Sequence, residues 1–351
     1  MTMNKKISKK VSMSPDSPAW SGKVSNSHQL GGIEPSVLDN GNGRGTRIAW
    51  FDTGSGLRFK VLPDRAMDIA DAFFNQHSLA WLSHSAVTPG NPAVNRDSLW
   101  LDNFSGGLLV TCGLTHVGDP EKDQYGERGL HDRISHLPAR IESVIQPDLR
   151  NDNYDMSITG TMLQSTVFGP NLELKRTISG RLGVSEIKIH DEVTNLGNQT
   201  APHMLLYHMN FGWPLIDEGT KLIWNGKVYP RDADDPIFSE GGDCETCKSP
   251  LDKHSGGGSS VAFIDIDADK NGYCRSDISN PKLGLRVSLH FKKEQLPWLT
   301  NWQHWGRNEY VTGMEPGTHP PKGQAAARKD GTLLFLEPGE TKYYDILLKV
   351  E

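Results

Sequence analysis

The stretch that decides the fold is Val184–Leu215, "VSEIKIHDEVTNLGNQTAPHMLLYHMNFGWPL". Its first part alternates. Ile187, Ile189 and Val193 fall on one face of an extended strand, with Glu186, Lys188 and His190 on the other. The alternation is expected to break between Asp191 and Val193, at a bulge. A polar turn, "NLGNQT" (195–200), separates it from "PHMLLYHMNF" (202–211), which has the apolar content of a buried strand. Two histidines, His203 and His208, interrupt that run. A lone core histidine is usually a satisfied one, so these two need support from elsewhere in the chain.

Working outward, short strand-like runs recur between turn signals. They include "TRIAWFD" (46–52), "LRFKVLP" (57–63), "GLLVTCGL" (107–114), "ARIESVIQ" (139–146), "DMSITGTML" (155–163), "LELKRTISG" (172–180), "SVAFIDID" (260–267), "LGLRVSLHF" (283–291) and "TKYYDILLKV" (341–350). Helical periodicity is scarce, and the chain carries 36 Gly and 21 Pro. The pattern predicts an all-β sandwich or barrel. No compositional break divides the 351 residues. The Gly/Ser-rich "HSGGGSS" (254–260) reads as a loop between strands, not as a domain linker. One large domain is therefore expected over residues 28–351, preceded by a flexible basic arm over residues 1–27.

The formal net charge of −6 gives no basic face for nucleic acid. No apolar run approaches the length of a membrane span. The basic N-terminus lacks the apolar stretch of a signal peptide. The four cysteines, Cys112, Cys244, Cys247 and Cys274, include one CxxC without a second close pair. A surface loop with reduced thiols is the expected reading, not zinc, and it suits a cytoplasmic protein.

Polar residues in apolar or turn settings give the candidate site. Arg65 and Asp68, in "VLPDRAMDIADAF", form either an ion pair in a turn or an arginine fork aimed at a hydroxylated or anionic ligand. His131 lies in the loop "ERGLHDRISHLPAR", with Arg133 and a His136 that reads as structural or solvent-exposed. Glu315 closes the strand-like run 310–314 before Pro316 and Gly317, where a carboxylate is expensive unless paired. "LPWLTNWQHWGRN" brings Trp298, Trp302, His304 and Trp305 together. Its indoles could floor a ligand groove or fill core, and Trp302 and His304 are the candidate contacts. Asn210 and Trp213 would shape the surroundings of His208.

The order of these elements, ending in "VTGMEPGTHPP" and "LFLEPGETKYYDILLKV", resembles the aldose 1-epimerase, or galactose mutarotase-like, superfamily. The wording "LPDRAMDIADAFF", "FSGGLLVTCGL", "GLH" and "YHMNFGWPL" is similar to its DUF4432-type branch. The resemblance implies a β-supersandwich with a concave groove that binds a small-molecule sugar. It implies His208 as general acid, Glu315 as general base and His131 as a sugar contact near the anomeric centre. Relatives often carry Gly after that histidine; here Asp132 brings a side chain and a charge beside the groove. The family's usual Asn-Arg pair is missing in its familiar form, and Arg65 is expected to take over that arginine's role.

Ring opening of an aldose needs a base for the anomeric hydroxyl proton and an acid for the ring oxygen; Glu and His suit both roles. No metal or redox cofactor is required. Two other readings stay open. One is an aldose–ketose isomerase or metal-assisted epimerase with His131, His203, His208 and Glu315 as N/O ligands. The other is a non-catalytic carbohydrate-binding protein. The sugar itself, its charge and any homo-oligomer are not set by the sequence.

Overall fold

The structure, a computed structural model, describes residues 20–351. Of the expected arm, residues 1–19 lie outside that range. Trp20 already packs edge-on against Tyr154, 6.0 Å between ring centroids.

Two eight-stranded antiparallel sheets make the body. The first runs, edge to edge, Lys221–Trp224, Tyr273–Asn280, Leu285–Lys292, Thr341–Val350, Val184–Asn195, Asn171–Arg181, Asp155–Ser165 and Arg140–Ile145. The second contains Gly226–Pro230, Ser260–Ile266, Trp298–Gly306, Glu309–Gly317, Ala201–His208 and Leu334–Leu336. Val110–Leu114 and Asn210–Gly212 complete it as side pairings. A five-stranded sheet from Gly32 to Ser78 closes one end. Among the described residues there is one α-helix, Gln324–Lys329, and no helix is long and apolar enough to cross a membrane.

Period-2 alternation sets the core between the large sheets. Ile178, Ile187, Ile189, Ile346 and Leu348 face it from the first sheet, and Leu205, Tyr207, Ile264, Leu299 and Met314 from the second. Met204 and Leu206 face the other way, into a separate apolar cluster with Trp100, Phe104, Val110 and Cys112. Ala201–His208 is thus covered on both faces. That explains why it reads as an unbroken apolar run instead of an alternating one.

The break expected at Asp191–Val193 is absent. Val184–Asn195 stays in register with Thr341–Val350 through this stretch, and Asp191 simply occupies an inward position. Its carboxylate is acceptable there because Arg176 meets it with two bonds, Nε to Oδ1 at 2.8 Å and Nη2 to Oδ2 at 2.6 Å. The register shift lies on the partner strand, between Ser179 and Arg181. The CxxC is also not a surface pair. All four cysteines are free, and Cys247 is buried in the main core, where burial pushes its thiol up.

Candidate active site

The outer face of the second sheet carries a cavity of about 510 Å³. Its floor follows from strand register. The two-residue turn Arg307–Asn308, with Asn308 at φ 66°, joins Trp298–Gly306 to Glu309–Gly317 and sets Thr300 opposite Glu315. On the other side, Leu206 lies opposite Gly317 and Asn210 opposite Gly313. The same register puts His208 across from Glu315. Thr300, Glu315 and His208 therefore form a row over three strands. Trp302 and His304 follow Thr300 on the same face at the two-residue period.

His208 Nδ1 and Glu315 Oε1 stand 3.4 Å apart, and neither atom has a hydrogen-bond partner. Thr300 Oγ1, beside them, is also unpartnered. Buried polar atoms without partners are rare in native structures and mark a place where another group is meant to bind. Gly313 makes the carboxylate's position possible: a Cβ there would lie 2.1 Å from Glu315 Oε1.

Aromatic rings wall the pair. Phe104 lies 5.4 Å, Trp302 5.5 Å and Trp100 6.2 Å from the His208 ring, centroid to centroid. His131 meets His208 edge-on at 5.9 Å and Trp100 at 5.0 Å. This enclosure excludes water and disfavours charge on both partners. Burial pushes Glu315 well above the usual carboxylate range and lowers His208 to about 4. His131 is also held well below its ordinary value, first by burial and then by His208 and His116. Its Nδ1 accepts from the Gly118 amide at 3.3 Å, so the neutral ring keeps its proton on Nε2. His304 Nδ1 donates to the Gly258 carbonyl at 2.7 Å, and its Nε2 lies 3.7 Å from Glu309 Oε2.

His208, Glu315, His131, Trp302 and His304 all line the cavity. Arg65, Asp68 and Asn210 do not. The Arg65 guanidinium is buried and spent on protein acceptors: the carbonyls of Ser135, Thr88 and Asn103, and Thr88 Oγ1. It has no free fork for a ligand, so it does not take over a sugar-binding arginine's place. Asp68 accepts from the amide and hydroxyl of Thr111 and from Arg176. Asn210 Nδ2 donates to the carbonyls of His208 and Gly107, which fixes the strand end that carries His208. Trp213 is exposed and outside the cavity. Trp305 is core and Trp298 packs on Tyr229.

Asp132 is a further correction. His131 and Asp132 sit at φ 57° and 59°, consecutive left-handed residues whose side chains diverge. The Asp132 carboxylate turns away from the groove and accepts from Thr115 N, Thr115 Oγ1 and Gln164 Nε2. His203 is likewise elsewhere. Its Nδ1 donates to the Leu114 carbonyl at 3.0 Å and its Nε2 accepts from the Tyr344 hydroxyl at 2.8 Å. The four-ligand set of His131, His203, His208 and Glu315 is therefore not assembled. Among the described residues no group of three or more His, Cys, Asp or Glu is arranged around a metal position.

Sequence reading missed Thr300, Trp81, Trp100 and Phe104. Thr300 was recoverable, because it lies two residues before Trp302 in one strand. Trp100 and Phe104 come from the irregular segment around Leu99–Asn103, which has no period to signal which way a ring points.

These features define a two-layer β-sandwich with a buried His–Glu pair in the groove on its second sheet. The chain belongs to the DUF4432 family, a domain of unknown function, which it matches over residues 43–350. No curated protein matches it by sequence. Among solved structures it is similar to a candidate aldose 1-epimerase from Klebsiella pneumoniae, with TM-score 0.81 and 24% identity over 93% of this chain and 86% of that one. It also resembles a galactose mutarotase-like protein from Clostridium acetobutylicum, with TM-score 0.65 and 13% identity over 91% and 98% of the two chains. A galactose 1-epimerase from Lactobacillus acidophilus aligns with TM-score 0.57 and 12% identity over 91% and 98%. At these identities the likeness speaks for the fold.

Proposed function

We propose that the cavity interconverts the anomers of a monosaccharide or sugar acid, with His208 and Glu315 as the acid–base pair. The observation that carries this reading is their placement. An imidazole and a carboxyl face each other unpaired at the bottom of an aromatic-walled cavity of about 510 Å³. That is the size range of small-molecule sites. Trp302 and Trp100 offer flat apolar faces to a pyranose, and His131 Nε2–H offers a donor to its hydroxyls.

The reaction is balanced within the pair. Glu315 takes the anomeric hydroxyl proton while His208 gives one to the ring oxygen, and the C1–O5 bond breaks. The aldehyde turns about C1–C2. Reclosure on the other face reverses both transfers. The two groups need one shared proton throughout, so they titrate as a unit. In the empty cavity, burial keeps that proton on Glu315, against a neutral His208. Sugar hydroxyls that hydrogen-bond the carboxylate favour its transfer to His208, which is the working form.

The test is exchange NMR against a panel of aldoses, ketoses and uronic acids. Accelerated anomer exchange is expected for one class of sugar. Glu315→Gln and His208→Asn, both folded, should each lower the rate by about 10²–10⁴-fold. New isomer signals in place of anomer exchange would move the assignment to an aldose–ketose isomerase. An unchanged rate in either variant would reject the pair's role.

A further inference from the structure

A second cavity, about 490 Å³, lies on the far side of the His131–Asp132 loop. It is framed by the hairpin Glu121–Arg128, the turn that follows Ser165, and the helix Gln324–Lys329. Its chemistry differs from that of the aromatic groove. Three guanidinium groups, those of Arg128, Arg133 and Arg328, line it. Arg128 is neutralised by Glu121 and Asp123, at 2.7 Å each. Arg133 and Arg328 have no carboxylate within ion-pair distance among the described residues. Arg133 reaches only the Ser165 carbonyl and Thr166 Oγ1. Arg328 lies over the Tyr125 ring, with its guanidinium carbon 3.8 Å from the centroid, and donates to Gln324 Oε1. The ring and Gln324 hold the guanidinium in place without consuming its charge, and that leaves a fork for an oxyanion.

The same cavity also offers acceptors. Gln164 is 5% exposed and lines the cavity, and its Oε1 has no partner. Its Nε2 is fixed on Asp132 Oδ2, at 2.7 Å, so the orphaned oxygen cannot be exchanged for the amide nitrogen without losing that bond. Asp132 receives all three of its donors on Oδ2, and Oδ1 has none. Two guanidinium groups without a carboxylate partner, beside the unfilled acceptors Gln164 Oε1 and Asp132 Oδ1, do not suit a bare anion. They suit a molecule that carries both an acid group and hydroxyls.

We propose that this cavity is a second ligand site, for a small hydroxylated oxyanion such as a phosphorylated or carboxylated polyol. Arg133 and Arg328 take the acid group, and Gln164 Oε1 and Asp132 take the hydroxyls. The site is separate from the groove that holds His208 and Glu315. It stands whether or not that groove is an epimerase site.

Three probes test it on the full chain by NMR or calorimetric titration: inorganic phosphate, glycerol 3-phosphate and glycerol. Glycerol 3-phosphate is expected to bind tightest, phosphate more weakly and glycerol not measurably. Arg133→Ala and Arg328→Gln should each weaken glycerol 3-phosphate by about tenfold, or 1.4 kcal/mol. Gln164→Leu should bring glycerol 3-phosphate down to the level of phosphate. His208→Asn should change nothing. Binding that persists in the double arginine variant, or no binding of either phosphate probe, would overturn the site. Equal affinity for phosphate and glycerol 3-phosphate would overturn the hydroxyl half of the assignment.

Discussion

Tyr207 and His208 are neighbours in one strand and belong to opposite polar clusters. Behind the sheet, Tyr207 donates to Asp191 Oδ2 at 2.7 Å. Arg176 holds both Asp191 oxygens and reaches Thr111 Oγ1, the Ala66 carbonyl and Asp68 Oδ1. In that network every named group but one oxygen, Asp68 Oδ2, is satisfied. In front of the sheet, His208, Glu315 and Thr300 each leave a buried atom without a partner. Both clusters are buried and polar. One is closed and holds the two sheets together; the other keeps buried atoms without partners at the cavity. A satisfied buried network contributes uniqueness to a core, whereas a half-satisfied one costs stability and persists where a ligand completes it.

The comparison predicts opposite responses to mutation. Arg176→Met leaves Asp191 and Asp68 as buried carboxylates without their cation. It should lower stability by about 3–5 kcal/mol, read as a shift in the denaturation midpoint. Glu315→Gln removes no formed bond, so its midpoint should stay or rise while activity falls. Equal destabilisation by both would mean that the front cluster is structural too.

A smaller effect tests the packing that creates the open cluster. Gly313→Ala puts a Cβ where the Glu315 carboxylate now sits. The strand can accept alanine, but the carboxylate must move. Since a displacement of about 1 Å can cost 10²-fold in rate, activity should drop by about that factor with little loss of stability. An unchanged rate would show that the carboxylate does not work from this position.

Much of this was legible beforehand because it follows from period and register. The strands were found by alternation. His208 and Glu315 stood out as polar residues in apolar runs, and Trp302 as one of a cluster of indoles. What failed was direction. Arg65 and Asp68 have the right chemistry for a ligand, but sequence does not show that Arg65 finds carbonyls from Thr88, Asn103 and Ser135 instead. The stretch from Asp191 to Val193 was read as a bulge because a buried carboxylate breaks the apolar period that identifies a core face. Asp132 was placed beside the groove because a two-residue left-handed turn is invisible without backbone angles.

The subtlest difference between the clusters is in their protons. Behind the sheet, the Arg176 guanidinium is shared between two carboxylates, with Arg65 adding only a weaker pull on Asp68. Asp191 receives the bidentate fork. Burial pushes Asp68 up to about 6, against the pull of Arg176 and Thr111. The folded state then binds a proton that the unfolded chain, with an aspartate near 3.8, releases. Asp68 therefore contributes stability that is complete below pH 3.8 and is lost as pH rises to about 6. Buried histidines such as His203, lowered to about 4 by burial, act in the opposite sense and remove stability as pH falls from 6.5 to 4. Asp68→Asn keeps the shape and removes only the first contribution. The stability difference between the parent and Asp68→Asn should shift against the parent as pH rises from 4 to 6, by at most about 1.4 kcal/mol per pH unit, and level off above. A difference that does not vary with pH would show that Asp68 is ionised throughout. Arg176 would then carry both carboxylates, and the back cluster would be closed in charge as well as in hydrogen bonds.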